Sequence, residues 1–242
     1  MEQKKIIKIL VVLLIMQWAF VQIIAQFPDF VERYYSNGLY YYLTNLYQLL
    51  VGWIPLSIGD VFYILIILYI IKNLIYTIRN KSFNFNKTAW KLGAIISIVF
   101  FVFHFNWGLN YYRHSVNERL NFEIQPYSNQ ELVQLSEKLI KKLNEIHLSI
   151  AKNDTILIEN YKSKKEITEK SYEVYDEFQL KFPQFSHKKI TVKNSLFSVP
   201  LTYMGFAGYL NPFTNEAQVN CLIPKSAFTS TVCHEIAHQI GI

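Results

Sequence analysis

Two histidines and a glutamate near the end of the sequence have the types and spacing of a metal site. His234, Glu235 and His238 form the pattern His-Glu-x-x-His within TVCHEIAHQIGI. Residues four apart on an α-helix differ by about 40°, so both imidazoles leave one face and can bind one ion. Neutral imidazole suits zinc, and catalytic zinc takes three protein ligands plus an open position for water. The pattern predicts Zn²⁺ bound by His234 and His238.

Glu235 points in another direction and is predicted to act on the metal's water. Zinc lowers the pKa of that water to about 7, and a nearby carboxylate can accept its proton and pass it to a leaving amine. The sequence therefore predicts a metallopeptidase with Glu235 as the general base.

The third ligand is not evident, because four residues follow His238. In the longer pattern His-Glu-x-x-His-x-x-Gly-x-x-His, Gly241 stands at the glycine position and the last histidine would follow Ile242. Glu216 is an upstream alternative. We expect the third ligand beyond Ile242, and hence a domain that is incomplete at its C-terminus.

Composition separates the chain into a membrane half and a polar half. The 242 residues are 51% hydrophobic and 17% charged, and residues 9–28 and 34–59 carry no charge. Residues 1–107 contain nine Lys or Arg and four Asp or Glu, whereas 108–242 contain fifteen and fourteen. The near-neutral polar half excludes a nucleic-acid patch, and two cysteines exclude a disulfide framework, although Cys221 and Cys233 can pair or stay free.

Three stretches are long and apolar enough to cross a bilayer, at about 9–27, 61–78 and 92–107. The first is interpreted as an anchor, because Ile23 and Ala25 fit a signal-peptidase cleavage site poorly. The uncharged stretch at about 39–56 is predicted to be an interfacial helix. The alternatives are a fourth span or a re-entrant segment, and a fourth span would put the basic connection 79–91 outside.

The polar half, 108–242, is predicted to be an α+β domain on the outer side of the membrane. Ser128 and Glu131 can form a capping box for a helix to about His147, and a second helix covers about 156–182. Predicted strands are Ile190–Val192, Leu201–Leu210 and Glu216–Leu222, the last as an edge strand beside the motif helix. Ser226 or Thr229 is expected to cap that helix.

The remaining candidates are given structural roles. The lone histidines are His104, His114, His147 and His187. Tyr203 and Tyr209 are expected in the core, with oxyanion stabilisation as the alternative. Arg113 is expected to anchor the membrane boundary, and Cys233 to pack in the core.

HFNWGLNYYR, GYLNPFTNEAQVN and CHEIAHQIGI resemble the bacterial membrane family called domain of unknown function 3810. The resemblance extends over nearly the whole chain. It implies a multi-span α-helical membrane anchor followed by a zincin-like metallopeptidase domain, with His234, His238 and Glu235 in the motif positions. It also implies a glutamate ligand in an acidic segment after the motif.

The leading hypothesis is a membrane-anchored zinc metallopeptidase whose partners are the lipid bilayer and a peptide or protein substrate. The alternative is a non-catalytic envelope-binding protein with a vestigial metal motif.

Charge asymmetry predicts that residues 81–87 face the cytoplasm and that residues after Arg113 do not. Single cysteines at Ser82 and Ser163 test this in intact cells with a membrane-impermeant thiol reagent. We expect labelling at position 163 only, and labelling at position 82 only would reverse the orientation.

Overall fold

The computed structural model describes residues 2–81, 83–123, 125–155 and 163–242, most of them in helices. The α-helices are α1 Glu2–Ile24, α2 Pro28–Phe30, α3 Tyr40–Leu50, α4 Ile58–Arg79, α5 Phe85–Asn106, α6 Val116–Arg119, α7 Asn129–Ala151, α8 Lys164–Lys181, α9 Ser198–Met204 and α10 Lys225–Gln239. The strands are β1 Val192–Asn194, β2 Gly208–Asn211 and β3 Glu216–Val219. Wide π-helical turns at Val31–Leu39 join α2 to α3, and short 3-10 turns lie at Gly108–Tyr112 and Pro183–Phe185.

Helices α1, α4 and α5 contain the three stretches that are long and apolar enough to cross a membrane, Lys5–Ile24, Ile58–Arg79 and Phe85–Asn106. The three apolar helices predicted from the sequence are confirmed. Helices α1 and α5 run parallel, because Lys8 Nζ lies 5.8 Å from the Trp90 ring while Val21 and Phe105 line one groove further along.

The predicted interfacial stretch at about 39–56 forms α3, which buries its polar side. Tyr40, Thr44 and Gln48 recur at intervals of four and are 1%, 9% and 2% exposed. Leu46 and Leu49 on other sides of the helix are exposed. The apolar side of α3 therefore faces away from the protein, as suits a helix at a lipid boundary.

The sheet has the order β1-β3-β2, with β3 parallel to β1 and antiparallel to β2. The prediction of an edge strand over Glu216–Leu222 is wrong, because β3 lies in the centre and β2 forms an edge. The strand expected over Leu201–Leu210 is replaced in its first part by α9. Gly205 adopts the left-handed conformation, with φ 77°, which ends α9 and turns the chain toward β2.

The core of the polar half lies between this sheet and the helices α8 and α10. It contains Ile167, Ile190, Val219, Phe228, Val232 and Ile236. Burial of each such side chain contributes about 1.5–3 kcal/mol, so this cluster fixes α10 against the sheet.

The two long helices of the polar half begin at capping boxes. Glu131 N–H donates to Ser128 Oγ at 3.2 Å, and Ser128 N–H donates to Glu131 Oε2 at 2.7 Å, as predicted. Helix α7 continues past His147 to Ala151, and its leucines are exposed. Helix α8 starts after Ser163, and positions 156–162 of the helix predicted there lie outside the described residues.

Two buried carboxylates join the start of α4 to the sheet. Glu216 accepts hydrogen bonds from Ile58 N–H at 3.1 Å and Gly59 N–H at 2.5 Å, and its Oε1 lies 2.5 Å from Lys193 Nζ. Asp60 accepts from Ser195 Oγ at 3.0 Å and from the Tyr209 hydroxyl. The free N–H groups and positive dipole end at a helix start favour such carboxylates.

Removing the cation of the buried pair should destabilise the fold. We expect Lys193→Met to lower the free energy of unfolding by about 3–5 kcal/mol, because Glu216 keeps a buried charge without its partner, and the double variant Lys193→Met/Glu216→Gln to lose less. Thermal unfolding in detergent, followed by circular dichroism, measures both. Lys165→Met, which breaks an exposed ion pair with Glu169, is the control. Equal effects of Lys193→Met and Lys165→Met would contradict the prediction.

Candidate metal and catalytic site

Helix α10 carries the three motif residues and ends immediately after them. Pro224 precedes its first turn, so the expected caps Ser226 and Thr229 lie inside the helix. Gly241, at φ 82°, ends it in a left-handed turn in which Ile242 N–H donates to Ala237 O at 2.8 Å. The glycine expected from the longer zinc pattern is thus the residue that turns the chain at this point.

The two histidines converge as the helical spacing predicts. His234 Nε2 and His238 Nε2 lie 3.0 Å apart, close to the separation of about 3.3 Å for two nitrogens at zinc distances in a tetrahedral site. His238 Nδ1 lies 2.9 Å from Ile242 O, and a carbonyl only accepts, so Nδ1 donates this hydrogen bond and Nε2 is the atom that faces His234. Burial and the neighbouring imidazole lower the pKa of His234, which favours the neutral form that binds metals.

Glu235 lies beside the pair without compensation for its charge. The side chain is 3% exposed, and Oε2 has no hydrogen-bond partner. Burial raises the pKa of Glu235 to about 7. A carboxyl with such a pKa can accept and return a proton near neutral pH.

Strand β2 begins against this carboxyl, and Gly208 permits the close approach. A Cβ at position 208 would lie 2.8 Å from Glu235 Oε1 and 2.7 Å from Gln218 O, so a side chain there would displace one of them. Ala207, Gly208, Ser230, Thr231, His234 and Glu235 line an open pocket of about 360 Å³. The site thus lies between an edge strand and the motif helix.

Three side chains from outside the polar core bind the last carbonyls of α10. Trp107 Nε1 donates to His238 O at 2.8 Å, the Tyr40 hydroxyl to Gln239 O at 2.8 Å, and Arg113 Nη1 to Gly241 O at 2.6 Å. Sequence reasoning missed Tyr40 and Trp107 and assigned Arg113 only to the membrane boundary. The one local sequence signal for these contacts was the group of polar residues directly after the third apolar helix.

The other candidates do not join the site as reacting groups. The Tyr209 hydroxyl donates to Asp60, and burial together with this hydrogen bond raises the pKa of Tyr209. Tyr203 is 89% exposed and does not lie in the core. Both oxygens of Glu216 are engaged at the start of α4, so it is not available as an upstream ligand. Cys221 and Cys233 are free thiols.

The described residues include His234 and His238, two of the three protein ligands that the sequence pattern predicts for zinc. Within residues 2–81, 83–123, 125–155 and 163–242, no group of three His, Cys, Asp or Glu side chains is close enough to hold a metal ion. The side-chain types brought together here, two imidazoles beside a carboxyl group, are those that a zinc site uses.

Comparison with known proteins gives one finding. A family described as "Protein of unknown function (DUF3810)" matches residues 35–242, which include α4, α5 and every residue of the site. No curated protein and no solved structure matches the chain.

Because the pKa of Glu235 is raised, we expect Glu235→Gln to stabilise the folded protein by an amount that depends on pH. Burial favours the protonated form of Glu235, whose pKa is about 4.5 in the unfolded chain and about 7 in the folded protein. The wild type therefore loses stability as the pH rises from about 4.5 to about 7. Without metal, Glu235→Gln should equal the wild type near pH 4.5 and exceed it by about 3 kcal/mol above pH 8. Thermal unfolding with a chelator measures the difference, and exposed Glu169→Gln is the control. A difference that stays flat with pH would contradict the prediction.

Proposed function

The chain belongs to the family described as "Protein of unknown function (DUF3810)", and we propose that it is a membrane-anchored zinc-dependent metallopeptidase. The observation that carries the proposal is the convergence of His234 Nε2 and His238 Nε2 at 3.0 Å beside a buried carboxylate oxygen with no partner. A fold selected for stability alone gains nothing from an uncompensated acid, because its burial costs free energy.

His234 and His238 would hold the ion through their Nε2 atoms. Ile242 O would keep His238 in the required tautomer through Nδ1. Zinc supplies an electrophile that acidifies water and polarises a carbonyl group. The third protein ligand is not among the described residues.

Glu235 would move the proton. Glu235 lines the pocket, and its Oε2 has no hydrogen-bond partner. A pKa of about 7 would let this carboxyl accept a proton from water and donate it to the leaving amine. Gly208 lets strand β2 approach Oε1 closely, and as an edge strand β2 would offer backbone groups to an extended substrate. These relationships support a zincin-like arrangement of sheet and motif helix.

We propose a bacterial cytoplasmic membrane as the location, with the polar domain outside. Three apolar helices make a membrane protein plausible, and the basic residues of 79–91 favour the cytoplasmic side for that connection. The start of α4 and the end of α5 both contact the polar domain, which is compatible with this orientation.

A non-catalytic envelope-binding protein is the second candidate. It is favoured by one observation, that among the described residues no third ligand accompanies the histidine pair. The two candidates differ in zinc binding and in hydrolysis.

We expect the full-length protein, purified in detergent, to bind about one zinc ion per molecule. Glu235→Gln should keep the zinc and lose about 10²-fold or more of its hydrolysis, because an amide cannot accept the proton. His238→Ala should lose both, and His147→Ala, a histidine on α7, should lose neither. Metal analysis beside cleavage of a mixed peptide library measures these outcomes. Full activity in Glu235→Gln, or full zinc content in His238→Ala, would favour the binding protein instead.

A further inference from the structure

The candidate site lies next to the end of an apolar helix. Trp107 directly follows α5, and its indole donates to His238 O at 2.8 Å. Its ring also meets the His238 imidazole edge-on, with 5.8 Å between centroids. Trp107 is buried in the protein at the end of α5, so the His238 imidazole is a single side chain away from the end of an apolar helix.

The start of α4 holds the same site from a second side. Asp60, in the first turn of α4, binds the hydroxyl of Tyr209 in β2. Tyr63, one turn further along α4, packs against Phe213 in the β2–β3 turn with 6.3 Å between ring centroids. Helices α4 and α5 have 22 residues each, or about 33 Å, which matches the hydrocarbon thickness. Their contacting ends therefore lie at one bilayer surface.

An exposed apolar segment continues from the start of α4 toward β2. Leu196 N–H donates to Asp60 Oδ2 at 2.7 Å. The following residues Val199, Tyr203, Met204 and Phe206 are 58%, 89%, 60% and 56% exposed. Exposed apolar side chains that cluster beside a membrane helix suit contact with lipid. Gly208, which lines the site, comes two residues after Phe206.

We infer that the substrate is a polypeptide segment directly adjacent to its own bilayer anchor, either a transmembrane helix or an attached lipid. The inference rests on the proposed peptidase function. An extended chain advances about 3.3 Å per residue, so a site at headgroup level meets residues within about five positions of an anchor. Two attachments, at α4 and at α5, keep the site from moving away from the surface to meet distant segments.

The test uses the full-length wild-type protein with zinc in phosphatidylcholine vesicles. The probe is a library of randomised eight-residue segments between a fluorophore and its quencher. It is made free in solution, on a palmitoyl anchor with a four-residue Gly-Ser spacer, and on the same anchor with a thirty-residue spacer. We expect the short-spacer form to be cleaved at least as fast as the long-spacer form and about tenfold faster than the free form.

Two outcomes would overturn the inference and leave the peptidase intact. They are cleavage of the free form as fast as both anchored forms, and cleavage of the long-spacer form while the short-spacer form resists. No cleavage of any form by the zinc-loaded protein would instead refute the proposed peptidase, and the inference with it.

A depth measurement tests the geometry without activity. An environment-sensitive fluorophore is attached at Tyr203→Cys, or at the control Ser226→Cys in the opposite end of α10, with Cys221→Ser and Cys233→Ala in both. Lipids with a nitroxide at the headgroup should quench the label at position 203 several-fold more than at position 226. Equal quenching at the two positions would contradict the contact with lipid.

Discussion

The last carbonyl groups of α10 need hydrogen-bond donors, and the rest of the structure is arranged to supply them. A helix end leaves carbonyls without partners inside the helix. Here Trp107, Tyr40 and Arg113 donate to His238, Gln239 and Gly241. These donors come from the ends of the apolar helices and from the connection between them. The end of the helix that carries the histidine pair is therefore bound by side chains that lie close to the apolar helices along the chain.

The start of α4 supplies the complementary contact. Its free N–H groups bind the Glu216 carboxylate, while Lys193 balances the charge. A second, partly buried ion pair joins Arg113 to Glu32. Burial alone would raise the pKa of Glu32, but the hydrogen bonds and the charge of Arg113 hold that pKa below its usual value. The N-terminal end of α4 binds carboxylates, and the C-terminal end of α10 accepts hydrogen bonds from side chains. The polar half is therefore attached at two points.

Elements with strong local signals could be predicted from the sequence. The three apolar helices, the capping box at Ser128 and the convergence of His234 and His238 depend on spacing within a few turns. Other features could not be predicted, because they depend on partners far along the chain. Tyr40, Thr44 and Gln48 show no charge or hydrophobic pattern, and their burial is decided by contacts with residues 191–239. The strand order likewise makes β2 rather than β3 the edge, and nothing local in either segment indicates it.

The uncompensated carboxyl of Glu235 distinguishes the site from the other buried acids. Glu216 and Asp60 are just as buried, yet each is satisfied by N–H, hydroxyl or ammonium donors. The fold therefore satisfies two buried acids with donors, one in β3 and one in the first turn of α4. Glu235 has no such donor at Oε2, although Ser230 and Thr231 line the same pocket. An unpaired buried acid costs free energy, so its position beside two converging imidazoles supports the proton transfer that we propose for it.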